Sequence, residues 1–196
     1  FVGRLRGMGA AVVEKPGTYG PSATITLPGK KVRRWSLLPQ VLVNNVKPDF
    51  VVQTTDSAIP PIAVFADGRA FHASPECNRV ADDARKREGL RESGYLVWSF
   101  GHEDLQRFKN GDEQNPPWFD ESASRVVTTN FHVRPGLLKL LVKDPVTQLL
   151  EFMVEPDVDG WEAFSRAMPY LFVRRDNRAK SVAETVLESA LAALDG

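Results

Sequence analysis

Short apolar runs broken by Pro and Gly fill the first half of the chain; apolar residues at helical spacing fill much of the second. Thr24-Ile25-Thr26-Leu27 alternates and is β-branched, Pro28-Gly29 follows as a turn, and residues 31–37 resume as a strand. That pattern predicts a hairpin. Residues 50–53, 62–66 and 95–100 are nearly continuous apolar runs, the mark of buried strands. The run at 62–66 is the most apolar and is expected at the centre of the sheet. Between it and the run at 95–100, residues 78–91 carry a stripe of Val80, Ala84, Arg87 and Leu90, with Arg87 lending its aliphatic stem. Asn78 is the expected cap, and Asp82–Lys86 and Asp83–Arg87 are favourable i,i+4 pairs. Strand, helix, strand in that order predicts a right-handed parallel crossover.

Elsewhere the pattern is thinner. Residues 1–22 read as glycine-rich loop with one short strand at 10–13, residues 101–120 as a polar loop, and residues 126–133 as a further strand. Beyond that the spacing turns helical: one short helix over 135–142, then a second opening at Asp144-Pro145 and running to 154. Asp at the N-cap with Pro at the first helical position suits a helix start. Trp161, Phe164, Met168 and Leu171 mark a third helix, and Val182, Val186, Leu187, Ala190, Leu191 and Leu194 a last amphipathic one. Three segments are expected: a loop and hairpin region over 1–31, an α/β core over 32–133, and a helical appendage over 134–196.

Charge narrows the choice of partners. Lys plus Arg and Asp plus Glu are 25 each, so no global basic excess draws the chain to phosphate. Nucleic-acid contact would need a local patch, and Lys30, Lys31, Arg33 and Arg34 at the hairpin supply one. The competing reading is a charged edge strand that resists edge-to-edge pairing. Cys77 is the sole cysteine, which excludes an intramolecular disulfide and a multi-cysteine zinc site and suits a reducing cytoplasm. No apolar run has the length of a membrane-spanning helix. The chain opens on Phe1 rather than Met, as expected for a piece of a larger protein.

The candidate chemistry lies at strand ends. Asp49 opens one strand after Pro48, and Asp67 closes the next before Gly68. Two carboxylates at one rim of a sheet, with His72 in the following loop, suit a hard divalent cation. Each has a plainer alternative: Asp49 as a turn residue, Asp67-Gly68 as a hairpin turn, His72 as a hydrogen-bonded structural residue. Asp82 and Asp83 suit the first turn of their helix, and His102, His132 and Cys77 are read as structural. No phosphate-binding glycine loop and no serine nucleophile elbow is present.

As an ordered string these pieces resemble a family. Pro48-Asp49-Phe50, Phe65-Ala66-Asp67-Gly68, Phe71-His72, Asn78 and Asp82 on a helix, and Gly94-Tyr95-Leu96-Val97-Trp98 are similar to the very-short-patch-repair (Vsr) branch of the PD-(D/E)XK nuclease superfamily. They are similar above all to relatives at the C-terminus of large bacterial DEAD/DEAH-box helicases, some of them in phage defence. The resemblance covers roughly residues 32–105. It implies a restriction-endonuclease-like mixed sheet flanked by helices, Mg²⁺ (or Mn²⁺) as cofactor, DNA as partner beside a helicase domain, and phosphodiester hydrolysis. Asp49 and Asp67 would hold the metal, His72 would move a proton, and Arg69, Asn78 and Asp82 would support the site. The chain departs from the pattern at Phe65 and Ala66, where no acid precedes Asp67, and at Arg69, where Lys is usual. The alternative that follows is a catalytically degenerate nuclease-fold domain used for DNA binding or subunit docking.

Overall fold

The structure is a computed structural model that describes residues 2–29, 31–67, 73–74, 77–78, 80–111, 121–140 and 142–173. It is α/β, with a six-stranded mixed sheet and, among the described residues, seven helices. In chain order come α1 (Val2–Gly7), β1 (Ala11–Lys15), β2 (Ser22–Leu27), β3 (Arg33–Pro39), β4 (Phe50–Thr54) and β5 (Ile62–Asp67). Next are the two-residue strands β6 (Ala73–Ser74) and β7 (Cys77–Asn78), then α2 (Val80–Glu92), β8 (Leu96–Gly101) and α3 (His102–Asn110). The remaining helices are α4 (Glu121–Phe131), α5 (Pro135–Leu138), α6 (Pro145–Val154) and α7 (Val158–Val173). Two compact units divide the chain: residues 1–112 with 144–156, and residues 113–143 with 157–196.

In the first unit the sheet runs β1-β2-β3-β4-β5-β8. The first five strands form an antiparallel meander, and β8 joins β5 in parallel through α2, as the strand–helix–strand pattern predicts. Cross-strand register assigns the faces. Ile25, Trp35, Leu37, Val52, Ile62 and Val64 share one face and are buried. Under α2 on the opposite face, Ala63 packs with Leu90 and Val46, and Phe65, Tyr95 and Val97 close around them. Beyond that cluster the opposite face of β1 to β4 turns polar. Val13–Thr24–Ser36–Gln53 and Ala11–Thr26–Arg34 form its cross-strand rows.

Helix α6 lies on the buried face. Asp144 caps it: its carboxylate accepts from the Thr147 amide at 2.8 Å and the Thr147 hydroxyl at 2.6 Å, and Pro145 takes the first helical turn. Val146, Leu149, Leu150, Phe152 and Met153 are buried. Two indoles fix the helix along its length. Trp98 Nε1 donates to the Pro145 carbonyl at 2.8 Å, and Trp35 Nε1 donates to the Met153 carbonyl at 3.1 Å. The Phe152 ring lies between them, 5.9 Å from Trp98 and 6.5 Å from Trp35. The Met153 carbonyl belongs to the last helical turn and has no partner within the helix, so the Trp35 N–H satisfies it.

In the second unit, α4 and α7 pack through Phe131 and Tyr170, whose rings are 5.2 Å apart. Arg134 bridges to Asp157 at 2.7 Å. Residue His132 adopts a left-handed φ of 57° and ends α4, a structural part for this histidine.

Several expectations are corrected. Residues 126–133 are not a strand: Ala123 and Val127 are buried at a spacing of four, so helical packing overrides the β-branched Val126-Val127-Thr128-Thr129 run. The expected loop at 101–120 contains α3, opened by Asp104 accepting from the Gly101 amide at 2.8 Å and closed by Gly111 at φ 65°. The short strand expected at 10–13 is β1, but α1 precedes it where loop was expected, and the helix expected over 135–142 is confined to the single turn of α5. The hairpin strands β2 and β3 belong to the same sheet as β4, β5 and β8. Strand β5 stands next to the edge strand β8 rather than at the centre. On α2 the inward positions are Asp83, Arg87 and Leu90, while Ala84 is exposed. The helix expected over 182–194 lies outside the described residues.

Replacing Trp35 with Phe keeps an aromatic ring but removes the donor and part of the buried indole, leaving the Met153 carbonyl unpaired beside a small cavity. Stability should fall by about 1–3 kcal/mol, read as a lower urea midpoint at unchanged slope.

Candidate functional site

The site follows from one antiparallel pair. Strand β4 begins where β5 ends, so Asp49 and Asp67 come to the same end of the sheet. The last paired residues are Phe50 and Val64. Beyond them Asp49 continues the ladder with its side chain: Oδ2 accepts from the Ala66 amide at 2.8 Å. Its Oδ1 accepts from Gln40 Nε2 at 3.3 Å, while the Gln40 amide donates to the Asp49 carbonyl at 3.0 Å. Gln40 and Asp49 therefore close the loop between β3 and β4, and Gln40 takes a left-handed φ of 52° to do so.

Asp67 is held from the helix. Arg87 Nη2 donates to both of its oxygens, at 2.6 and 2.7 Å. The guanidinium carbon stands 4.9 Å from the centroid of the Phe65 ring, close enough for a cation–π contribution. The side chains of Arg87 and Asp67 are 22% and 30% exposed, so the pair is neither free in solvent nor sealed. Helix α2 fixes this geometry. Leu90, three residues after Arg87 on the same face, is fully buried against Ala63 and sets the helix on β5. The expected partner of Arg87 within its helix was Asp83; the pairing with Asp67 reaches across the crossover instead.

Every carboxylate oxygen of the two aspartates thus has an N–H partner. A hard cation needs carboxylate oxygens turned toward it. Among the described residues no group of three His, Cys, Asp or Glu side chains gathers to hold one. As arranged, each oxygen of Asp49 and Asp67 accepts at least one hydrogen bond, and the Arg87 guanidinium occupies the side of Asp67 that a cation would share.

The other predicted residues are dispersed or lie elsewhere. His72, Arg69 and Lys30 fall outside the described residues. Asn78 sits in β7, opposite Ala73, and the helix starts after it at Val80. Asp82 pairs with Lys86 as expected. Among the described residues of the basic hairpin, Lys31, Arg33 and Arg34 have different surroundings. Lys31 pairs with Asp56 at 3.0 Å, and Arg33 donates to the Val154 carbonyl at 3.4 Å beside α6. Arg34 is exposed on the polar face of the sheet. Sequence reasoning missed Gln40 altogether, and it gave Arg87 a stem on the inner stripe and an ion pair with Asp83 but not the one with Asp67. The i,i+3 spacing of Arg87 to the buried Leu90 was visible, but its partner depends on where the crossover returns.

No family model, curated protein or solved structure matches this chain.

Breaking the Asp67–Arg87 pair should cost more from the arginine side, because Arg87→Ala also strips the Phe65 ring. A double-mutant cycle with Asp67→Asn should return a coupling of about 1 kcal/mol, above that of exposed pairs. A coupling near zero in urea melts would show the pair to be inert.

Asp56 supplies a pH signal. The Lys31 hydrogen bond first, then the Ala58 amide, hold its carboxyl below the ordinary value of 3.8. A depressed folded pKa adds stability that is complete above about pH 4 and is lost as pH falls through the folded value. Lys31→Ala should move the Asp56 carboxyl back toward its ordinary value in a ¹³C NMR titration.

Proposed function

We propose that this chain is a nuclease-like α/β module that binds nucleic acid and does not cut it. The observation that carries the reading is the closure of Asp67: Arg87 takes both of its oxygens. The binding face would be the polar side of β1 to β4. Lys15, Arg34 and Gln53 are exposed there, with the hydroxyls of Thr24, Thr26 and Ser36 between them. Cations, hydroxyls and an amide on one flat surface suit phosphate and sugar contacts, which position a strand without reading its sequence. Within a larger helicase-type protein such a face would hold a strand beside the motor.

A second reading keeps the metal-dependent endonuclease, because the Asp49 bond to the Ala66 amide sets its carboxylate beside the residue preceding Asp67. It requires Arg87 to leave Asp67.

One set of assays separates the two. Fluorescence anisotropy with labelled duplex and single-stranded DNA should show affinity falling between 50 and 200 mM salt with a log–log slope of about −2 to −3. Arg34→Glu and Lys15→Glu should weaken binding alike for all sequences, by roughly tenfold together, and flatten that slope. Supercoiled plasmid incubated with Mg²⁺ or Mn²⁺ should stay intact. Nicking that Asp49→Ala abolishes would overturn the non-cutting reading, and binding indifferent to salt and to both variants would overturn the proposed face.

A further inference from the structure

On the other side of the sheet, the buried face does not close completely. A cavity of about 320 Å³ lies between that face, α1, α3 and α6. Its floor is Ala23, Val52, Val64 and Leu149, each buried. The lining is apolar apart from its rim, where Tyr19 and Glu14 stand. This is about twice the 150 Å³ apolar cavity that stays dry and accepts benzene, and it lies at the small end of ligand pockets. A void this size forfeits the dispersion contacts of every side chain that lines it, so an occupant would be stabilising.

The rim sets the chemistry of the occupant. Glu14 is already neutralised by Arg6 at 2.9 Å. Tyr19 is 64% exposed, and the Lys47 ammonium stands 4.2 Å from the centroid of its ring. Lys47 does not itself line the cavity, but with Glu14 paired its cation, held on the ring of the lining residue Tyr19, is the charge beside this rim. We propose that the cavity binds a medium-chain carboxylate, with its hydrocarbon chain against Val52, Val64 and Leu149 and its head group at Lys47. At about 320 Å³, near the lower end of ligand pockets, the volume suits a medium-length rather than a long chain. This site is independent of the polar sheet face and of the aspartate pair.

Calorimetric titration of the chain with decanoate, decanol and decylamine, each below its micelle concentration, tests the assignment. Decanoate should saturate at one per chain and bind about tenfold tighter than decylamine. Val64→Phe, which fills the floor, should weaken decanoate by about tenfold or more. Lys47→Glu is a surface change that leaves the core intact, and it should reverse the order of decanoate and decylamine. Absence of saturable binding by decanoate would overturn the proposal. So would decanoate affinity that neither variant changes, or an order of the two charged ligands that Lys47→Glu leaves as it was.

Discussion

The first unit depends on how α6 is held against the sheet. Five apolar side chains of that helix are buried, from Val146 to Met153. Burial of each is worth roughly 1.5–3 kcal/mol before the entropy of ordering is counted. Apolar contact alone would let a helix slide or roll. The two indole N–H groups prevent this because each must meet one carbonyl, Trp98 at the start of the helix and Trp35 at its end. Trp35 comes from β3 and Trp98 from β8, so this single helix ties the meander to the crossover strand. It also forms one wall of the apolar cavity through Val146 and Leu149.

That one-sided covering explains which strands could be read from sequence. On β2 only one face is packed, so Thr24-Ile25-Thr26-Leu27 alternates and the hairpin is legible. Strand β5 meets α2 as well, and Val51-Val52 of β4 and Ile62-Ala63-Val64 of β5 are buried on alternate faces and read as continuous runs. The cap at Asp144 was legible because it is local: one carboxylate, one proline and one amide within four residues. What failed was not local. Val126-Val127-Thr128-Thr129 has strand propensity, but residues four apart are the ones buried there. Helix α3 carries mostly polar residues, and no residue of it is fully buried, so its sequence resembles a loop.

The candidate site divides along the same line. That Asp49 and Asp67 share one end of the sheet follows from antiparallel pairing of consecutive strands, which the Pro- and Gly-bounded runs already implied. What their carboxylates bind does not follow. Asp49 meets the Ala66 amide because pairing stops at Phe50 and leaves that donor to a side chain. Asp67 meets Arg87 only because α2 returns over Phe65, a tertiary fact set by Leu90 against Ala63. Helical spacing placed Arg87 on the inner stripe with Asp83 as its expected ion-pair partner; the docking of the helix brought its charge to Asp67.

The balance between cutting and binding turns on what exchange at Asp67 would cost. A cation replacing Arg87 must be repaid for more than the lost ion pair. The displaced guanidinium is only 22% exposed, and its Nε is already buried without a partner. Left beside Phe65 without Asp67, it would be an uncompensated, part-buried charge, a state more costly than either partner in water. Release to solvent would instead uncover the Phe65 ring and the stem that packs on it. Both routes oppose opening of the pair, and Asp49 is already held by a donor on each of its oxygens. A phosphate group does not need that exchange at the polar face, where Arg34 and Lys15 are exposed. On the proposed reading, contact with nucleic acid would use the exposed polar face as it stands, whereas metal-dependent cleavage would first need Arg87 to leave Asp67, against the packing around it.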